Sequence, residues 1–283
     1  MAKIITVDEN VLADIGRGFT IPARPELLIK LQDLMSQQEP DLNEIADTIA
    51  LDVATSATIL KTVNSPLYGL ARSISDIKKS VRYLGIQGVY SLVTSCLLKR
   101  GFEQSNSGIA LDEFWLNSSN IANTAVYIGK QIKQRISSEK LFTIGLFHDC
   151  GIPVMAIKYD NYQACLDYSI NNPSKTLPEI EEKLYNINHA TLGYYVASSW
   201  RLPKDICQLI LRHHDRNLLD KLDGSELQLA YAIIKMAENI TYQHKHFRDC
   251  ADWRYICDTV FTVLDIDEYQ YQDIIEDVNE QLI

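Results

Sequence analysis

Apolar residues return every three or four positions through almost the whole of this chain, and that period restricts it to helices. In ARPELLIKLQDLM, Leu27, Leu28, Leu31, Leu34 and Met35 share one face. DLNEIADTIALD opens with Asp41 and carries Glu44 three positions later, a capping-box pattern, ahead of Ile45, Ile49 and Leu51. VATSATILKTVN groups Val53, Ala57, Leu60 and Val63, and NSPLYG stops it with Pro66 and Gly69. ISDIKKSVRYLG reads as a helix capped by Ser75 and ended by Gly85, with GVYSLVTSCLLKR as the next. After the polar stretch GFEQSNSGIA the period resumes in LDEFWLNSSNIANTAVYIGKQI. It continues through SEKLFTIGLFHDCG, EIEEKLYNI, HATLGYYVASSW, KDICQLILRHH and ELQLAYAIIKMAENI. Alternating strand patterns and fixed-period repeats are absent. The expected fold is all-α, with its internal boundary in the loop around residues 101–110.

A chain of 283 residues has room for one large core or two modest ones. The start, MAKIITVDENVLADIGRG, scatters charges through any apolar stretch, so no secretory signal is expected, and no run reads as long enough to span a membrane. Cys96, Cys150, Cys165, Cys207, Cys250 and Cys257 lack CxxC spacing, which excludes a zinc-ribbon reading and points to reduced thiols in a cytoplasm. The net charge of −10, from 37 acids and 27 bases, argues against general nucleic-acid binding. The basic stretch RSISDIKKSVR reads as a solvated helix face. DIDEYQYQDIIEDVNEQLI has seven acids and no Lys or Arg. Its Ile274, Val278 and Leu282 fall at i, i+4 and i+8, as in a packed helix with an acidic outer face.

Several segments together carry a resemblance. These are IPARPELLIKLQDLM, DLNEIADTIALDVATSATILKTVNSPLYG and ISDIKKSVRYLGIQGVYSLV, then Phe114–Trp115, GLFHDCG, HATLGYYVASSWRLP and ILRHH. From Ile21 to about Asp215 the chain resembles the HDOD family, the HD-related output domains of bacterial signalling. The resemblance implies an HD-domain-like multi-helix bundle. Residues 1–105 would form an N-terminal helical subdomain, and residues 106–283 an HD-like subdomain with a C-terminal helical extension. It also implies a non-enzymatic signalling module, here expected to stand alone because the residues after Asp215 read only as further helices.

In the related HD hydrolases an early His, the His-Asp pair and a later Asp hold a metal, and the HD-GYP branch adds another His and a His-His pair. Carried over by resemblance, the metal set is His148, Asp149, His189, His213 and His214. Asn117 stands where the early His belongs, Glu238 is the carboxylate nearest the later Asp, Ile152 replaces the Lys that often follows HDxG, and no GYP follows HHD. The residues leave a second reading open, which the missing first ligand favours. His148 and Asp149 would hydrogen bond each other and nearby backbone in a polar pocket, His213 and His214 would lie over the carbonyls ending their helix, and His189 would cap its own. His244 and His246 lie outside the pattern and are expected to face solvent, and Cys150 to pack.

The expected function is bacterial signal transduction by protein or ligand binding without turnover, a protein partner being met through the N-terminal helical half. Pro66, Leu67 and Tyr68 would either meet the partner or plug the core. The alternative is a metal-dependent phosphohydrolase or phosphodiesterase working in the HD-centred pocket. A nucleotide-binding sensor would use the same pocket. The first reading requires no cofactor, and the second requires a divalent metal. The expected partners are a signalling protein and, for the sensor, a nucleotide, with no membrane contact.

Overall fold

The computed structural model describes residues 18–65, 68–102, 105–132, 136–222 and 224–281, and among them there is no strand. Pro66, Leu67 and Leu282, singled out above, lie outside the described residues. Two compact units emerge, Pro22–Gln104 and Ser105–Ile283, the latter together with Met1–Ile21.

In the first unit, α1 (Glu26–Met35), α2 (Leu42–Ala50) and α3 (Val53–Val63) pack on α4 (Ile77–Phe102). Asp41 caps α2 by accepting from the Asn43 N–H at 2.7 Å, and Asp52 caps α3 from the Thr55 N–H at 2.9 Å. Asp76, rather than the expected Ser75, accepts from the Lys78 N–H at 2.7 Å as α4 begins. Gly85 breaks α4 at φ 72°, where a side chain would be strained, so the two sequence patterns remain two helical segments. The buried face of α3 is rotated from the expected one. Thr55, Ile59 and Val63 are buried while Val53 is 79% exposed. The Arg100 guanidinium grips both Asp52 oxygens, at 3.1 and 2.9 Å, and so ties the cap to α4 and turns Thr55 inward. Leu51, counted above on the apolar face of α2, is also exposed.

The second unit runs α5 (Leu111–Gln131), α6 (Ser138–Phe147), α7 (Gly151–Lys158), α8 (Tyr162–Asn171), α9 (Leu177–Tyr185), α10 (His189–Ser199), α11 (Lys204–Arg212), α12 (Leu218–Lys221), α13 (Glu226–His246), α14 (Trp253–Leu264) and α15 (Glu268–Gln281). Helix α5 packs along α6 and α13, and α10 packs against α7 and α11. Contrary to the sequence reading, Ser138–Lys158 is long and apolar enough to cross a membrane by length and composition. In the fold, 83% of that window is buried inside the protein. The run is interrupted by the turn His148–Cys150. Beyond it Gly151 meets α10 so closely that a Cβ would lie 1.9 Å from the His189 carbonyl oxygen and 2.6 Å from Gly193 N. Lys140, near the start of α6, reaches Asp205 at 2.6 Å and Glu226 at 3.2 Å, joining α6 to α11 and α13. Ile274 and Val278 of α15 are buried as expected.

Candidate metal centre

Three helix ends bring the histidines together. His148 and Asp149 occupy the turn after α6, His189 begins α10, and His213 and His214 follow α11. The turn after α11 is held by the Tyr231 hydroxyl, which donates to the His213 and Asp215 carbonyls at 3.0 and 3.3 Å. His148, His189 and His213 are at most 1% exposed. All five residues carried over by resemblance meet in one place. Asp149, His189, His213 and His214 present ligand atoms within 4.8 Å of one another and form a group able to hold a metal ion. His148 flanks this group on the far side of the carboxylate. Asp149 turns Oδ1 toward His189 Nε2 at 3.3 Å and His213 Nε2 at 3.1 Å, and Oδ2 toward His148 Nε2 at 3.3 Å.

Every ring is fixed through its other nitrogen. His148 Nδ1 lies 2.7 Å from the Gly145 carbonyl and His213 Nδ1 2.6 Å from that of Ile210. His189 Nδ1 lies 2.7 Å from Glu181 Oε2, and His214 Nδ1 lies 3.2 Å from Asp252 Oδ2. A carbonyl or carboxylate only accepts, so each Nδ1 carries the proton and a neutral ring turns its Nε2 lone pair inward. Where the ring is neutral, as at His213 and His214, that lone pair faces the cluster around Asp149, an arrangement that a cation satisfies. The spacing fits such an ion. His189 Nε2 is 3.1 Å from His214 Nε2 and 3.4 Å from His213 Nε2. Nitrogens held tetrahedrally at about 2.0–2.1 Å from zinc stand roughly 3.3–3.4 Å apart.

Of the polar-pocket reading, His148 does lie between Asp149 at 3.3 Å and the nearby Gly145 carbonyl at 2.7 Å. The ring of His213 does sit on the last carbonyls of α11, yet its other nitrogen faces the cluster. Capping of α10 falls to Asn188, whose side chain accepts from the Thr191 N–H at 2.9 Å, and not to His189. His148 Nε2 and Glu238 Oε1 are buried, 3.5 Å apart, and neither has a hydrogen-bond partner.

Burial would lower the His148 pKa, but the Asp149 and Glu238 carboxylates outweigh it and hold it above the ordinary value. Burial would raise Asp149, and the surrounding rings hold it well below the usual carboxylate range. His189 is raised to about 10 against burial, by Glu181 and Asp149. Burial lowers both His213 and His214, with help from neighbouring rings, which keeps them neutral, the form in which imidazole ligates.

A cavity of about 370 Å³ opens onto the cluster. Asn117 and Glu238, the two substituted positions of the family pattern, both line it, as does Ile152. Lys245 at its edge is paired with Glu113 at 2.5 Å. His246, expected in solvent, also lines the cavity, its ring 4.2 Å from that of Tyr242, while His244 is exposed as expected.

The sequence reading missed the groups behind the histidines. Glu181 is fully buried and accepts from the Tyr162 hydroxyl. Asp252 takes Arg216 Nε at 2.9 Å, and buried Lys235 pairs with Glu238. A signal existed for two of them. Glu181 falls on the apolar face set by Leu177, Ile180 and Leu184, and Lys235 interrupts the apolar run AIIKMA.

An uncharacterized protein of Treponema pallidum (strain Nichols) is 26% identical over 202 residues, covering 69% of this chain and 38% of that protein, so the chain spans about two fifths of that relative's length. A structure from Shewanella amazonensis SB2B, named for a proposed metal-dependent phosphohydrolase, shares the fold at TM-score 0.66 and 19% identity, covering 97% of this chain and 99% of that one. A structure from Marinobacter aquaeolei VT8, named for proposed signal transduction, does so at TM-score 0.68 and 15% identity, over 99% of this chain and 60% of that one. The HDOD domain model matches residues 21–216, more than half of the sequence and the same span that carries the histidine cluster through His214, and the chain belongs to the HDOD domain family.

Proposed function

We propose that this chain is a regulatory HDOD protein that holds a divalent metal ion on His148, Asp149, His189, His213 and His214. Through that ion it binds a phosphate-bearing ligand in the adjoining cavity without turning it over. The carrying observation is the inward convergence of Nε2 atoms on Asp149, each ring anchored by Nδ1. Four imidazoles and one carboxylate suit a transition ion such as zinc or iron better than magnesium or calcium. Such an ion, when bound, polarises a phosphoryl oxygen. The protein's own residues do the rest. Asp149 and the rings set the ion's place, apolar Ile152, Phe114 and Ile121 wall the cavity, and Asn117 offers a neutral amide. The names of the Shewanella and Marinobacter neighbours fit a metal site put to signalling use. A signalling protein is the expected reader of the occupied state.

Elemental analysis of protein purified without a metal-affinity tag tests this, together with thermal melts. Metal at about one hundred times its dissociation constant adds roughly 2.7 kcal/mol, about 5–10 °C in a chain of this size. Wild type is expected to gain that much and His148→Ala distinctly less. A metal-free preparation whose melt is unmoved by zinc, iron or manganese would refute the proposal.

The hydrolase is the second reading, favoured by the cavity beside the cluster. Against it, Ile152 occupies the wall where the catalytic branch has a Lys, and Lys245 is committed to Glu113. No turnover of cyclic dinucleotides is therefore expected with Mn²⁺ or Mg²⁺. Steady-state hydrolysis that disappears in His148→Ala and Asp149→Ala would replace the regulatory reading with the hydrolase.

A further inference from the structure

Helix polarity sets a problem that three of the ligands do not share equally. His148 and His213 lie at helix C-terminal ends, where free carbonyls are at hand, and each anchors Nδ1 on the carbonyl three residues back. His189 lies at a helix N-terminus, where the free backbone groups are N–H donors and no carbonyl of its own helix is free to accept. An acceptor has to come from elsewhere. Glu181, on α9, supplies it, and one oxygen serves twice. Its Oε2 accepts the His189 backbone N–H at 3.0 Å and the ring Nδ1 at 2.7 Å. The other oxygen accepts from the Tyr162 hydroxyl of α8.

A fully buried carboxylate is costly unless its charge and lone pairs are met. Its hydrogen-bond partners among the described residues are the Tyr162 hydroxyl and the His189 backbone and ring. Packing alone gives no reason for a Glu here, since Leu or Gln would fill the same face of α9. Orientation of a ligand does. Carboxylates behind metal-bound imidazoles fix the ring and make it a stronger donor.

We propose that Glu181, clamped by Tyr162, is a positioning residue of the metal centre. It fixes the rotation of His189 and keeps the proton on Nδ1, so that Nε2 faces the ion. This rests on the metal-binding reading above.

The test is a competition titration of wild type, Glu181→Gln and Tyr162→Phe with zinc against a chromophoric chelator, alongside the visible spectrum of the cobalt-loaded proteins. Glu181→Gln is expected to weaken metal affinity about 10–100-fold and to shift the cobalt bands, with Tyr162→Phe moving both in the same direction by less. Melts in excess chelator separate positioning from packing, because a purely structural Glu181 would lower that midpoint and leave affinity and spectrum alone. Affinity within threefold of wild type in Glu181→Gln overturns the proposal while the metal-binding reading stands. If Glu181→Gln does not fold, an unchanged affinity and spectrum in Tyr162→Phe overturn it instead. Wild type that binds none of zinc, cobalt, iron and manganese overturns both.

Discussion

Asp149→Asn is expected to lose metal affinity on the order of a hundredfold or more, because even the outer partners of metal ligands are worth 10–100-fold. Among the described residues Asp149 is the one side chain that faces His148, His189 and His213 together, and a quarter of it stays open to the cavity. The amide keeps the shape, removes the charge, and replaces one acceptor with a donor. The metal-free fold is expected to lose stability too, because the surrounding rings stabilise the ionised carboxylate, so affinity and the chelator melt are read separately. Calorimetric titration of both proteins with zinc, beside their melts in chelator, provides the check. A variant that binds zinc within a few-fold of wild type would remove Asp149 from the centre.

Gly151→Ala is expected to be the most destabilising single-methyl change in the second unit, by about 3 kcal/mol or more, toward and beyond the upper end for overpacking. The added carbon would sit 1.9 Å from the His189 carbonyl and 2.6 Å from Gly193 N, both backbone atoms that no rotamer change can clear. Helices α7 and α10 would have to separate, displacing His189 from Asp149. The midpoint of thermal unfolding should fall by roughly 6–12 °C, and the denaturant midpoint should fall with an unchanged slope. A melt within two degrees of wild type would show that the crossing yields more readily than its geometry says.

The helices and most of their faces were legible because 3.6-residue periodicity reports local burial directly. Where the reading slipped, a side chain elsewhere in sequence intervened. Arg100, 48 residues from Asp52, fixes which face of α3 turns inward, and no window along α3 contains that information. The five clustered residues were legible through family resemblance, whose motifs preserve their order. Their supports were not. Lys235 and Glu238 are at least an i,i+3 pair on α13, but His214 depends on Asp252, 38 residues away, through a contact that only packing creates. Sequence does not show which ring nitrogen the backbone and the outer carboxylates engage, and so leaves the polar pocket and the metal centre as alternatives on the same residues.

The crossing at Gly151 and Gly193 also bears on the order of events in folding. Asp149 and His189 are separated by forty residues of chain, and they meet only once α7 and α10 have docked backbone to backbone. Loop closure of that length precedes any ligation between them. In a chain that docks α7 on α10 before it ligates an ion, the ion would add to the native state what the transition state lacks. Interactions of that kind slow unfolding and leave the folding rate nearly unchanged. The centre would act as a latch on a closed structure, lengthening its lifetime without guiding the chain toward it.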